Sequence, residues 1–316
     1  MKALRQRIVL FLLLTFALTC ALVFYGIVPM LNSGSEMLST VGQSLITVVM
    51  LIPALCVALT RIFTKEGFSN CWIKPVGFKK RWGYYALAWL GPALLTLVGC
   101  AVYFIAVPSE FDPAMGYIRA SYEALGVSIS VEQAKATLLQ QLAIALLAGP
   151  VINSVACFGE EWGWRGYLLP KLTQCMPMWA VLITGGVIWG LWHAPLTILG
   201  HNYGTGYEGY PYLGIAAMCV FCMVMGSFFS FVTLRSGSCI PAVIAHAGLN
   251  SIAQAGLYYT RAGGNPFVGP TPTGILGGSA FLAAGLVMGI LLIRDAKRPC
   301  PLGEMPGDGE NIQKCP

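Results

Sequence analysis

The feature that most constrains this fold is a series of apolar runs, each about 20 residues long, that recur along nearly the whole chain. A helix needs roughly 20 apolar residues to cross a bilayer. Only 10% of the 316 residues are charged, whereas soluble domains average about 25%. The sequence therefore predicts an all-α polytopic membrane protein with about eight transmembrane helices. The predicted spans are residues 8–30, 42–61, 84–107, 138–158, 179–199, 213–234, 239–258 and 274–293.

Basic residues lie beside these runs and, with eight spans, fall on one side of the membrane. They are Lys2, Arg5, Arg7, Arg61, Lys65, Lys74, Lys79, Lys80, Arg81, Arg235, Arg294, Lys297 and Arg298. The positive-inside rule then predicts that both termini are cytoplasmic. The net charge of +6 is explained by this pattern and does not indicate a nucleic-acid partner.

Two glycine pairs and one cysteine pair stand within or beside the runs. Gly186–Gly190 and Gly274–Gly278 have the GxxxG spacing, which predicts close helix packing. Cys219 and Cys222 form a CxxC, but no second pair or nearby histidine is expected, so we predict no metal or redox role for them.

Two adjacent carboxylates adjoin the fourth run, in the segment FGEEWGWRGYLLP. A charge near the bilayer centre costs roughly 2.5–3.5 kcal/mol on insertion scales, so an intramembrane acid indicates function by default. Glu161 and Arg165 are four residues apart on a helix and face each other, and such a pair can be purely structural. Glu160 points about 100° away and has no local partner, which favours a general acid or base.

Two of the three histidines lie within predicted spans. Trp189 and His193 are four residues apart, as are His246 and Asn250, so each pair shares a helix face. A lone membrane histidine is more often a hydrogen-bonding residue between helices. Two histidines, a free carboxylate and an amide are components of metal-assisted hydrolysis, in which a zinc ion lowers the pKa of a bound water.

The predicted spans contain one geometric conflict. Glu160 falls near the cytoplasmic end of the fourth span, whereas His193 lies about 14 residues, or roughly 21 Å, into the fifth. Straight spans would keep them apart. We expect a break at Gly149-Pro150, followed by a helix over about 151–175 that places Glu160 deeper.

At these residues the chain resembles the CPBP intramembrane metalloproteases, the type II CAAX prenyl endopeptidases and bacteriocin-processing or Abi proteins. The family pattern is EExxxR, then an aromatic residue and a histidine four apart, then HxxxN or HxxxD, on separate helices of an eight-helix fold. Here these motifs are Glu160 to Arg165, Trp189 to His193, with Trp where Phe is commoner, and His246 to Asn250. The "WGW" inside the first motif is a second departure, and both concern the shape of the pocket.

The resemblance implies a role for each matching residue. Glu160 would activate water, Glu161 with Arg165 would hold the site, and Asn250 would support the oxyanion. His193 and His246 would bind a metal or orient the water, so the implied ligands of a Zn²⁺ cofactor are His193, His246 and Glu160. The implied partners are a peptide or protein substrate at the membrane and the lipid bilayer, and we expect a bacterial plasma membrane.

The resemblance also divides the chain. We expect N-terminal transmembrane helices and loops over 1–134, a CPBP-like catalytic core over 135–258, a last transmembrane helix over 259–298 and a disordered cytoplasmic tail over 299–316. The substrate stays open between a prenylated peptide and a secreted one.

Two other functions remain as alternatives. A non-catalytic family member could act as a membrane immunity or scaffold protein. A proton-coupled transporter could use the same Glu and His residues, although the chain shows no internal repeat. Zinc proteases with HExxH and aspartyl dyads are excluded, because the chain has no HExxH and no aspartate within a span.

Overall fold

The computed structural model describes residues 2–296, and the predicted tail lies outside them. Within this range the chain is helical, and its only β-bridges are the isolated pairs Phe111 with Thr260 and Asn265 with Gly269. The all-α prediction is confirmed. The α-helices are α1 Lys2–Ala21, α2 Val28–Leu31, α3 Glu36–Val49, α4 Ile52–Phe63, α5 Phe78–Ala106, α6 Gly116–Glu123, α7 Val131–Leu147, α8 Gly149–Ile152, α9 Ser154–Glu161, α10 Leu169–Leu172, α11 Met178–Trp192, α12 Ala194–Ile198, α13 Tyr212–Ser236, α14 Ile240–Ile252 and α15 Ser279–Ala296. Leu22–Ile27 and Trp162–Leu168 form π-helical segments, and Pro108–Glu110 and Ala255–Tyr259 form 3₁₀ turns.

Four of the described helices are long and apolar enough to cross a membrane: Lys2–Leu31, Phe78–Ala106, Tyr212–Ser236 and Ser279–Ala296. A fifth candidate is the pair α3 and α4, which are bent by 52°. These correspond to the predicted first, third, sixth, eighth and second spans. The remaining three predicted spans are built from shorter helices, so the count of eight is not confirmed. Those three carry or adjoin the motif residues.

The predicted fourth span is broken where Gly149-Pro150 occurs. Helix α7 ends at Leu147, and a new helical path runs through α8, α9, a π-helical segment and α10 to Leu172. Proline lacks the N–H needed to continue a helix. The expected break and the helix following it are therefore confirmed, and Glu160 lies inside that second helical path.

Glycines set the contact between α11 and α13. A Cβ on Gly186 would lie 2.4 Å from Met223 Cα, and one on Gly190 would lie 2.4 Å from Cys219 Cα. The GxxxG prediction is confirmed for this pair. It is wrong for Gly274–Gly278, which lie in turns before α15, and a Cβ on Gly274 would meet the backbone nitrogen of Gly269 at 2.4 Å. A tight turn, rather than a helix interface, requires these glycines.

Two basic residues that the sequence assigns to one side, Arg7 and Arg61, meet Lys171 around Glu66, in the loop after α4. Lys171 Nζ lies 2.6 Å from a Glu66 oxygen, Arg7 Nε lies 3.6 Å from one, and Arg61 Nη1 lies 3.9 Å from one. Burial raises the pKa of Glu66, but the hydrogen bond and charge of Lys171, with Tyr167 and Arg61, outweigh it and hold the pKa below its usual range. This cluster ties α1, α4 and α10 together at one end of the helices.

Candidate active site

Glu161 is the centre of a buried ionic network. Its side chain is fully buried, and Arg165 Nη1 lies 3.1 Å from each of its oxygens. His246 Nδ1 lies 2.9 Å from Glu161 Oε1. The i,i+4 pair expected from the sequence is therefore present, and Glu161 also joins α9 to α14.

Glu160 has a different environment, although it is adjacent in sequence. It is 2% exposed, and Trp189 Nε1 on α11 donates a hydrogen bond of 2.7 Å to its Oε2. A single neutral donor satisfies less of a carboxylate than an arginine and an imidazole do. The two glutamates therefore differ as the sequence predicted: Glu161 is paired by charge, and Glu160 is not.

Trp189 contacts most of the other site residues. The Arg165 guanidinium lies 4.1 Å from the centroid of its ring. The ring centroids of His193 and His246 are each 5.6 Å from that of Trp189. One indole on α11 thus joins both histidines, the arginine and Glu160.

Both imidazoles are oriented through Nδ1. His193 Nδ1 lies 2.8 Å from the Trp189 carbonyl oxygen, which only accepts, so Nδ1 carries the proton. His246 Nδ1 faces the Glu161 carboxylate in the same way. In its neutral form each ring then keeps the lone pair of Nε2 for a ligand or a water. His246 is buried, whereas His193 is only partly buried.

The donor types fit a zinc site. An imidazole whose Nδ1–H is held by a carbonyl or carboxylate is the usual arrangement of a metal-binding histidine, and Glu160 supplies a carboxylate. Among residues 2–296, however, no group of three or more His, Cys, Asp or Glu side chains stands in a metal-binding arrangement. The residue types therefore suit zinc, but among the described residues their side chains do not form a metal-binding group.

Asn250 lies at the edge of this group. It is exposed, and its Nδ2 approaches Cys157 Sγ at 3.6 Å. It follows His246 by one helical turn, as the HxxxN spacing predicts. Five of the six predicted site residues contact Trp189 or a residue that contacts it: Glu160, Glu161, Arg165, His193 and His246. Asn250 lies one helical turn beyond His246.

Residues 139–252 match the family described as Type II CAAX prenyl endopeptidase Rce1-like. The matched segment is about a third of the chain and contains all six predicted site residues. We call this matched segment the Rce1-like domain. The match confirms the resemblance drawn from the motifs. A comparison with curated proteins found no significant match.

Glycines place the first motif of the Rce1-like domain against the break between α3 and α4. A Cβ on Gly159 would lie 2.3 Å from the Met50 carbonyl oxygen, and one on Gly163 would lie 2.5 Å from Pro53 Cβ. The glycine of "WGW" is therefore required by the close approach of Pro53. This departure from the family pattern has a packing reason.

Four of the five tryptophans within residues 139–252 have different roles. Trp162 Nε1 donates to the Cys71 carbonyl, Trp192 Nε1 donates to Thr19 Oγ1, and Trp164 packs against Phe11. These three pack the domain against the N-terminal part of the chain. Of these four, only Trp189 contacts Glu160, and one property of the residue type could have indicated this contact: a buried indole N–H needs an acceptor.

The CxxC pair lies closer to the site than we expected. Cys222 Sγ is 3.9 Å from His193 Nδ1, so the expectation of no nearby histidine is wrong. The reason is the glycine contact between α11 and α13, which brings Cys222 under the histidine that follows α11.

Proposed function

We propose that the chain is an intramembrane endopeptidase that hydrolyses a peptide bond of a membrane-associated peptide with water activated by Glu160. The observation that carries the proposal is the separation of roles between the two adjacent carboxylates. Glu161 is occupied by Arg165 and His246, whereas Glu160 accepts one hydrogen bond from Trp189. A buried carboxylate without a cationic partner is suited to take a proton from water.

The other residues act around that step. The Nε2 atoms of His193 and His246, left available by their Nδ1 bonds, orient the water. Arg165 and Glu161 keep His246 in place. Asn250, at the exposed edge, donates to the oxygen of the peptide carbonyl as negative charge develops there.

A zinc ion is part of the proposal. His193, His246 and Glu160 would hold it, and when bound it would lower the pKa of the water and polarise the substrate carbonyl. Glu160 is the proposed proton acceptor with or without the ion.

The substrate class follows from the family and the position of the site. The family name refers to prenylated CAAX peptides, and we propose a prenylated or secreted peptide that reaches the site from the membrane. A bacterial plasma membrane with cytoplasmic termini is the setting that we propose from the basic residues.

The test uses the purified full chain in detergent. Wild type, Glu160→Gln and His246→Ala are assayed on fluorogenic membrane peptides, and zinc is measured by mass spectrometry. Glu132→Gln is the matched control, because Glu132 is exposed at the start of α7. We expect cleavage to be lost in both site variants and retained in the control, with zinc lost in the histidine variant.

Three outcomes would change the proposal. Cleavage without zinc would keep the endopeptidase and remove the metal. If Glu160→Gln cleaves as the wild type does, water activation by Glu160 is wrong. A chain without cleavage whose host phenotype survives Glu160→Gln would instead be a membrane immunity or scaffold protein.

A further inference from the structure

Polar side chains cross the contact between the α8–α9 segment and α14. Three side-chain contacts cross it, and we call them the polar ladder. The ladder consists of Asn153 Nδ2 to Ser251 Oγ at 2.8 Å, Asn250 Nδ2 to Cys157 Sγ at 3.6 Å, and His246 Nδ1 to Glu161 Oε1 at 2.9 Å.

The ladder leads from the candidate site to the surface. On one side Asn153, Cys157 and Glu161 are four residues apart, so they lie on one helix face. On the other side His246 and Asn250 are also four apart. The contact between His246 and Glu161 is buried, whereas Asn250, in the contact with Cys157, is exposed.

Gln254 continues the line one turn beyond Asn250. It is exposed, and within residues 2–296 its side chain has no hydrogen-bond partner, although its backbone carbonyl accepts from Leu257. The exposed part of the line is therefore made of two amides, Asn250 and Gln254. Each carries both donors and an acceptor.

The depth of Asn250 makes its exposure informative. It lies ten residues from the start of α14 at Ile240, or about 15 Å at 1.5 Å per residue. A helix that starts at the edge of a hydrocarbon layer about 30 Å thick reaches the middle of the layer over this length. An amide exposed to hydrocarbon leaves its hydrogen bonds unsatisfied at considerable cost. This face must then be hydrated or covered by a polar molecule.

We propose that Asn250, Gln254 and the Asn153–Ser251 pair form a docking strip that binds the backbone of an extended peptide and leads it to Glu160. A peptide within a membrane needs partners for its own N–H and C=O groups, and amide side chains supply both. The strip ends at His246, which is in contact with Glu161, the neighbour of Glu160. Delivery to Glu160 rests on the proposed function, whereas hydration and peptide binding do not.

The first experiment measures hydration without turnover. Asn250→Cys, Gln254→Cys and Val155→Cys are made in the full chain, reconstituted in vesicles, and treated with a positively charged methanethiosulfonate reagent. Peptide mass mapping separates each new thiol from the native cysteines. Val155 is the control, since it is 71% exposed on α9 but is not part of the ladder.

We expect Asn250→Cys and Gln254→Cys to react at least ten-fold faster than Val155→Cys. A fluorogenic leucine–alanine peptide should then protect position 254 from the reagent. Equal rates at the three positions would overturn the docking strip. Fast labelling that the peptide does not slow would also overturn it, because the face would be hydrated without binding peptide.

The second experiment separates this inference from the proposed function. Gln254→Leu should raise KM for the peptide about three- to ten-fold with little change in kcat, as expected for the loss of a net hydrogen bond to bound peptide. Gln43→Leu, which removes an exposed amide from α3, should leave both constants unchanged. Protection of position 254 in a chain that never cleaves would keep the docking strip and reject the endopeptidase. Cleavage by a protein whose three cysteine positions are labelled at equal rates would keep the endopeptidase and reject the docking strip.

Discussion

Replacement of Arg165 by methionine tests whether Glu161 is held by its ionic network. Glu161 is fully buried and Arg165 is 3% exposed, so neither charge is compensated by bulk water. Removing one partner of a buried pair costs about 3–5 kcal/mol, because the other charge stays buried without compensation. His246 remains on Glu161 Oε1, which favours the lower end of that range, about 3 kcal/mol.

A second interaction is lost with the same residue. The guanidinium lies 4.1 Å from the Trp189 ring centroid and 5.2 Å from that of Phe229, and a desolvated cation–π contact is worth about 1 kcal/mol or more. The expected loss of stability is therefore about 4 kcal/mol. For a domain of 150–250 residues this corresponds to a fall in Tm of roughly 8–16 °C.

The assay is thermal unfolding in detergent, with three further variants: Arg5→Met, Glu161→Gln and the double variant. Arg5→Met is the matched control, because Arg5 is exposed on α1. Glu161→Gln combined with Arg165→Met removes both charges of the pair, so the double variant should be more stable than Arg165→Met alone. A Tm for Arg165→Met within 2 °C of the control, or a double variant whose loss equals the sum of the two single losses, would refute the reasoning.

Two further predictions concern packing and pH. Gly186→Ala should lower Tm, because its Cβ would lie 2.4 Å from Met223 Cα. Gly185→Ala on the same helix should not lower Tm, because its Cβ would meet nothing within 4 Å. Equal Tm values for the two variants would contradict this packing. The folded-state pKa of Glu66 is lowered, mainly by Lys171 against the effect of burial, so its stabilisation is present above the unfolded pKa and is lost as pH falls through the folded value. Glu66→Gln should therefore flatten the fall of Tm below about pH 4.5, and an unchanged acid profile would show that this ion cluster does not stabilise the fold.

The parts of the site that depend on one helix could be predicted from the sequence. Helical spacing alone placed Arg165 opposite Glu161 and turned Glu160 away from both. The same rule put Asn250 one turn from His246. The break at Gly149-Pro150 was also predictable, because proline and glycine act locally on the backbone.

The parts that depend on how helices cross could not be predicted. The Trp189–Glu160 hydrogen bond joins residues 29 apart, and the bond from Glu161 to His246 joins residues 85 apart. Helical period gives the face of a residue but not the neighbour that this face meets. For the same reason the sequence did not show that Cys222 lies beside His193.

The spans predicted from hydropathy are not confirmed in the three segments that carry or adjoin the motifs, and the reason is physical. A span that passes straight through a bilayer keeps its polar groups near its ends, whereas a site within the membrane needs backbone breaks and polar side chains near the middle. Two breaks in the backbone occur in these segments. One precedes α8, and the other is the end of α11 at Trp192, next to His193. Predicted spans that the structure divides into short helices are therefore a guide to the site.

The two adjacent glutamates can now be explained together. Glu161 alone would be a costly buried charge, and Arg165 and His246 offset that cost while fixing α14 against α9. That fixed contact keeps the His246 ring beside Trp189, and Trp189 in turn holds Glu160. If this order of dependence is right, loss of Glu161 should disturb the setting of Glu160, whereas Glu160→Gln should leave the Glu161 network and the stability of the protein nearly unchanged. The two residues are neighbours because one supports the site that the other uses.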